Sequence, residues 1–213
     1  MRLFDYELSG NCYKVRFLLH LLKVSYERVP INFYPGKEHK APWFIEQYNP
    51  RGQLPVLEDG NEIIRDAQAI LVYLASKYDS ERTWYPDDAA TRAQIQIWLA
   101  TADEITSTAS AARLHDALGY PFDVEACRKG ARAVFRLMDD HLAERHSVGD
   151  HWLATAKVPT IADIACFPYI ALAPEGGITL DEFPALRRWT SEFRSQPRFM
   201  GMAGIMAPEL TPQ

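Results

Sequence analysis

Residues 8–17, "LSGNCYKVRF", set Ser9 three positions ahead of Cys12, just after a short apolar run. The spacing is that of a Cys-x-x-Cys thiol motif with oxygen in place of the first sulfur. Ser9-Gly10-Asn11 reads as a polar entry into a helix. That is also a good seat for a thiolate, over unpaired helix amides and beside a hydroxyl donor. Cys12 lies one turn further in and reads as a small buried hydrophobe. Three other places carry candidate chemistry. "GKEHKAPW" sets His39 and Lys40 before a short helix, where they suit a carboxylate. "GQLPVL" opens a strand on Pro55, a position where a missing ladder donor is tolerated. A cis Leu54–Pro55 bond there would offer the Leu54 N–H and C=O to another extended backbone. Asp66 stands at a helix start, where it can cap the helix or take an ammonium, while the first amides behind it attract an anion.

These residues need elements to hold them, and the hydrophobic periodicity supplies a set. "MRLFDY" reads as a strand, and residues 11–22 as a helix with Val15, Leu18, Leu19 and Leu22 on one face. "SYERVPINF" reads as a second strand. "APWFIEQY" is a short helix ended at Asn49-Pro50, because the residue before proline avoids the helical region. Asp59-Gly60 sits between two strand-like runs and marks a hairpin. Asp66 then opens a helix with apolar spacing at Ala69, Ile70, Tyr73 and Leu74. The predicted order over residues 1–79 is βαβαββα. Residues 80–88 lack periodicity and read as a linker.

From residue 89 to 213 the pattern is helical throughout. One helix over residues 88–118 carries a stripe of Ile95, Trp98, Leu99, Ala102, Ile105, Ala109 and Ala112, and Gly119 stops it. A second spans 123–146, with Ala131, Val134, Phe135, Met138 and Leu142 inward. "PTIADIACFPYIAL" and "FPALRRWTSEFRSQP" start two more. Thr160-x-x-Asp163 has the spacing of a reciprocal N-capping box. The tail after Met206 holds two prolines and is expected to be loosely held.

Composition narrows the partners. A hydrophobic content of 47% suits a chain that buries a real core. A net charge of −5 argues against nucleic acid or an anionic membrane as the main partner. No apolar run approaches spanning length, and "MRLFDYELSG" is too polar for a signal peptide. Cys12, Cys127 and Cys166 are odd in number and far apart, which fits a reducing, cytoplasmic setting. His141, His146 and His151 recur every five residues, which scatters their rings around a helix, so no metal site is expected.

The candidate sites together describe one ligand: a peptide-like molecule with an ammonium, two carboxylates, an extended amide backbone and a thiol. Glutathione has this chemistry. The stretches "SGNCYKVR", "EHK", "NPRGQLPVLEDG", "DAQAI" and "VPTIADI" resemble the cytosolic glutathione transferases of the serine type, over almost the whole chain. The resemblance implies a thioredoxin-like α+β domain followed by an all-α domain, glutathione as co-substrate, no metal and a homodimer. It implies that Ser9 donates to the glutathione sulfur, with Asn11 as a second polar contact. His39, Lys40 and Gln53 would lie at the glycyl end. Leu54 and Pro55 would form the cis-proline pair that meets the cysteinyl unit. Asp66 and Ala67 align with an acid-then-serine pair for the γ-glutamyl end. Ala67 departs from that pattern, and the missing hydroxyl is worth roughly 1.5–3 kcal/mol if its partner is charged. The resemblance places the pocket for a small electrophile on the second half of the long helix, with Thr108, Ala112, Arg113 and His115 as candidates. Three activities stand: a conjugating transferase, a glutathione-dependent disulfide or peroxide reductase, and a non-catalytic glutathione-fold binding protein.

Overall fold

A computed structural model describes residues 1–204. The chain divides into two compact units, Met1–Arg82 and a second that begins at Thr83. The expectation for the tail after Met206 lies outside the described residues.

The first unit runs β1 (Arg2–Asp5), α1 (Gly10–Leu22), β2 (Glu27–Pro30), α2 (Pro42–Gln47), β3 (Val56–Asp59), β4 (Glu62–Arg65) and α3 (Ala67–Tyr78). This is the βαβαββα order read from the periodicity. The sheet order is β2-β1-β3-β4, with β1 parallel to β2 and antiparallel to β3, and β3 antiparallel to β4. Alternate residues of a strand face opposite sides. Phe4 and Val56, paired across β1 and β3, therefore share a face, and there they form a core with Ile31 and with Phe44 of α2. Leu3 and Leu57, also paired, point to the other side and are fully buried. Each such side chain contributes about 1.5–3 kcal/mol by leaving water. Helices α1 and α3 pack on each other.

Three local expectations need correction. The hairpin loop is Gly60-Asn61, one residue later than the Asp59-Gly60 signal, because Asp59 still pairs with Glu62. Gly60 takes φ +64°, which suits a glycine in the first loop position. The second strand is four residues long, much shorter than the run "SYERVPINF". The buried face of α3 is Ala67, Ile70, Leu71, Leu74 and Ala75, not the spacing through Ala69 and Tyr73. Tyr73 instead turns its hydroxyl to Asp59.

The second unit holds α4 (Ala89–Ile105), α5 (Ala111–Leu118), α6 (Val124–Ser147), α7 (Ile161–Ala171) and α8 (Pro184–Arg194). All seven residues of the stripe predicted for residues 88–118 are buried. The helix is not uniform, however: residues Thr106–Ser110 form a π-helical segment between α4 and α5. The hydroxyls of Thr106, Ser107 and Thr108 bond back to carbonyls of the preceding turn, at 2.8, 3.1 and 2.6 Å. Such bonds compete with the regular ladder and favour a local bulge. Gly119 ends α5 in the left-handed region. The capping box expected at Thr160 and Asp163 is present. Asp163 is fully buried and also accepts from Leu153 N–H and from Trp189 Nε1, which ties α7 to α8. Among the described residues no helix is long and apolar enough to cross a membrane.

The hairpin is fastened to α3 by one carboxylate. Asp59 Oδ2 accepts from Tyr73 at 2.8 Å, Lys77 at 2.7 Å and Tyr78 at 2.5 Å. Burial pushes Asp59 up, but the bonds from Lys77, Tyr78 and Tyr73 outweigh it and hold the carboxyl at about 2. A depressed carboxylate contributes stability above its unfolded value and loses it as pH falls through the folded one. Asp59→Asn is therefore expected to cost about 1 kcal/mol at neutral pH, the screened end of the range for such bonds. That is about 2–4 °C in thermal midpoint for a chain of this size. Melting curves of the two proteins should converge as pH is lowered from about 4 towards about 2.

Candidate functional site

Strand directions gather the candidates of the first unit. Asp5 ends β1 and lies beside Pro30, the end of the parallel β2. Phe4 is opposite Val56, the start of β3, and Val56 is opposite Arg65, the end of β4. Four connections therefore leave or enter at one end of the sheet: residues 6–9 before α1, residues 31–41 before α2, residues 48–55 before β3, and Asp66 before α3. They carry Ser9, His39 and Lys40, Gln53 to Pro55, and Asp66 and Ala67. The N-termini of α1 and α3 open at this end, so the positive ends of two helix dipoles face it as well.

Ser9 is the N-cap of α1. Its Oγ accepts from Cys12 N–H at 3.2 Å. That bond uses one lone pair; the hydroxyl also bonds to the Cys12 side chain, and its rotatable O–H would turn from there to a ligand. Its own N–H bonds to Tyr6 O at 3.0 Å, closing the turn. Ser9 is half-buried, while Cys12 is sealed. Cys12 Sγ accepts from Tyr6 N–H at 3.5 Å, so the thiol braces the same turn from beneath. Burial, with the nearby Asp5 carboxylate, pushes the Cys12 thiol up to about 12. A thiol held there is neither thiolate nor nucleophile near neutral pH. Asn11 is half-buried, in the first turn of α1.

Leu54–Pro55 is a cis peptide. The loop before it is organised by Asn49, which is 3% exposed. Asn49 Nδ2 donates to Gln53 O at 2.9 Å, and its Oδ1 accepts from Arg51 N–H at 3.1 Å. The Gln53 side chain is left exposed. Lys40 Nζ donates to Arg51 O at 2.9 Å, which joins the His39–Lys40 turn to this loop. Gly52 has φ +55°, and a Cβ on it would lie 2.7 Å from His39 O, so the close approach requires glycine. His39 is buried, with its ring stacked on Phe33 at 4.1 Å, and Phe33 stacks in turn on Tyr6. Burial, aided by Lys40 and Lys37, lowers His39 to about 4. It is therefore a neutral ring at physiological pH, and the positive charge around it comes from Lys40 and Lys37.

Asp66 caps α3 through Oδ1, which accepts from Gln68 and Ala69 N–H at 2.9 and 3.0 Å. The Ala67 N–H is not among the amides it takes. Asp66 also holds φ +77° and ψ 132°, outside the ordinary regions for a residue with a side chain. Such backbone costs about 1–3 kcal/mol and clusters at ligand sites.

The helical candidates behave differently. The Thr108 hydroxyl bonds to Glu104 O, and its methyl abuts Gly130 of α6. Ala112 is fully buried against Gly176. Arg113 pairs with Glu175, and His115 Nδ1 meets Asp116 at 3.0 Å. Their partners lie within the helical unit.

Sequence reasoning passed over Asn49, taken only as a helix stop, and the charges beneath the Ser9 turn. Asp5 has no exposure. Its two oxygens are taken by Arg16 and Arg28. A charged residue closing an apolar strand, "RLFD", is the one signal in the sequence that marks it.

Comparison with known proteins agrees with this geometry. Residues 3–82 match the family described as "Glutathione S-transferase, N-terminal domain", and residues 120–197 match "Glutathione S-transferase, C-terminal domain". The chain is 29% identical to glutathione S-transferase GstB of Escherichia coli K12, over 89% of this chain and 90% of that one. The structure of a possible glutathione S-transferase from Rhodopseudomonas palustris superposes with a TM-score of 0.82 at 27% identity, covering 99% of this chain and 90% of the other. Ure2p, a yeast prion protein solved in complex with glutathione, gives 0.77 at 30% identity, covering 92% and 95%. The chain belongs to the glutathione S-transferase family.

Proposed function

We propose that this protein is a glutathione transferase in which Ser9 holds the glutathione sulfur as thiolate for attack on a small hydrophobic electrophile. The observation that carries the reading is the contrast at the start of α1. Ser9 is half-buried at the sheet end where the four connections meet, with a rotatable hydroxyl that can turn from Cys12 to a ligand, while Cys12 is fully buried and bonded within the turn. Lys40, Gln53 and the neutral His39 suit the glycyl end. The Leu54 backbone suits the cysteinyl unit. The Ala67 N–H and the Asp66 carboxylate suit the γ-glutamyl end. Asn11 stands beside the sulfur as a second polar contact.

A free thiol has a pKa of about 8.5, so only a few per cent is thiolate at neutral pH. Lowering it by about two units takes roughly 2.7 kcal/mol. A charge-assisted hydrogen bond from Ser9 and the amides opening α1 supply energy of that order. The thiol proton leaves to solvent. The sulfur lone pair forms the new bond to the electrophilic atom, and that atom releases its leaving group or takes the electrons into a conjugated system. No general base on the protein is required. The electrophile pocket is proposed on the helical unit around Thr108, Ala112, Arg113 and His115.

The reductase reading divides in two. A route through Cys12 is disfavoured by its burial and raised pKa, whereas reduction by bound glutathione would use the same thiolate. A non-catalytic binding role draws on Ala67, which removes one donor from the γ-glutamyl end. Free cysteines at 12, 127 and 166 fit a reducing, cytoplasmic setting. The protein is proposed to act as a homodimer, and sedimentation at micromolar concentration should return twice the chain mass.

The decisive pair of variants is Ser9→Ala and Cys12→Ser, assayed with a model electrophile and with a mixed disulfide. Ser9→Ala should cost about 10- to 150-fold in a thiolate-limited rate, the equivalent of roughly 1.5–3 kcal/mol. Cys12→Ser should lose only some stability. The reverse pattern would move the chemistry to Cys12. Ala67→Ser should tighten glutathione binding by restoring a donor, and calorimetry showing unchanged affinity would mean that another group already fills the role.

A further inference from the structure

We propose that Arg16, on the second turn of α1, is a positioning residue that sets the donor geometry of Ser9. The inference rests on the Ser9 reading above and adds a residue to it. Arg16 is 7% exposed. Its Nη1 pairs with Asp5 and also donates to Tyr6 O at 3.3 Å, while Nη2 donates to Glu7 O at 3.0 Å. Tyr6 O is the same carbonyl that accepts the Ser9 N–H. One guanidinium therefore ties the end of β1 to two successive carbonyls of the turn that delivers Ser9.

Geometry, rather than charge, is the contribution. Asp5 is fully buried and lies between Arg16 and Arg28, and Arg28 also meets Glu7. The nearest charge to Arg16 is thus already answered by its own carboxylate, and little of its field is left for a thiolate. A buried ion pair is also weak support for stability in itself, since removing two charges from water offsets much of their attraction. What the fork supplies is direction. Its N–H groups lie in one plane at fixed angles and can meet a carboxylate and two carbonyls together. A lysine at this place has one compact ammonium and cannot reach all three. Without the fork, Glu7 O loses its donor and Tyr6 O keeps only the Ser9 N–H, the turn relaxes, and the Ser9 hydroxyl leaves the line to the sulfur. A shift of a few tenths of an ångström matters for a directional bond, which weakens steeply as the angle closes.

The test measures the thiol pKa of bound glutathione by ultraviolet titration, and separately the affinity for S-hexylglutathione, which has no ionisable thiol. Two replacements are compared with the wild type. Arg16→Lys keeps the charge and loses the fork. The double variant Asp5→Leu with Arg16→Met replaces the pair by apolar groups of similar volume, an exchange that folds are often able to accept. Arg28→Gln is the control, since it touches Asp5 but neither carbonyl. The expected result is a bound-thiol pKa raised by about one unit in both Arg16 variants, from about 6.5 to about 7.5, which is about threefold less thiolate at neutral pH. S-hexylglutathione affinity should stay within about twofold, and Arg28→Gln should titrate like the wild type. A bound-thiol pKa that stays put in folded Arg16 variants overturns the positioning role and leaves the Ser9 reading intact. Parallel losses of pKa depression and S-hexylglutathione affinity also overturn it, because they mark a structural residue only. A wild-type protein that fails to depress the thiol at all defeats the Ser9 reading, and this inference with it.

Discussion

Asp5 has no contact with water, so its charge must be answered inside the protein. Arg16 and Arg28 answer it, one from α1 and one from β2. Arg28 also meets the Glu7 side chain, while Arg16 alone of the two reaches the carbonyls of Tyr6 and Glu7. The direction in which the chain leaves β1 follows from the Arg16 contacts. The turn of residues 6–8 is closed above by Ser9 N–H to Tyr6 O and below by Tyr6 N–H to Cys12 Sγ. Cys12 is sealed beneath that turn, and Ser9 stays half-buried at its top.

The sheet gives that turn its company. A parallel β2 and an antiparallel β3–β4 hairpin bring four loops to the end of β1. Two of those loops run into helices whose N-terminal dipole ends make this end of the sheet receptive to anions. Lys40 adds a full charge, and Asp66 places a carboxylate beside the amides of α3. A zwitterionic peptide with charges at both ends and a thiol between them matches the pattern of donors and acceptors. The Asn49 bonds and the close packing at Gly52 keep the connecting loop in one conformation. Less entropy is then lost when a ligand binds, which favours affinity without adding contacts.

The sequence was informative where a pattern repeats and weak where a single side chain decides. Period-2 and period-3.6 spacing carried the element order, the seven-residue stripe through Ala112 and the capping box at Thr160, because burial acts on every residue of a face. The π segment at Thr106–Ser110 was invisible, since it depends on three hydroxyls choosing carbonyls over water. The hairpin slipped by one residue, because Asp59-Gly60 and Gly60-Asn61 are both good loop pairs and pairing with Glu62 selects between them. Tyr73 looked apolar in the α3 pattern, but its hydroxyl had a partner across the hairpin. Ser9, Pro55 and Asp66 stood out because serine and aspartate are the residue types that cap helices and proline is confined to a strand's start or edge. Asn49, Arg16 and Asp5 did not, for their role lies in bonds to backbone carbonyls or to each other, which spacing alone does not reveal. His39 was legible as a residue of the site but not as a neutral one, because its state depends on burial against Phe33.

The account stands on Ser9 as the group that makes the sulfur acidic. The direct measurement is the ultraviolet titration of glutathione bound to the wild-type protein and to Ser9→Ala. A thiol pKa about two units below the free value of about 8.5 in the wild type, returning most of the way in the variant, is the predicted result. Equal pKa values in the two complexes would contradict it.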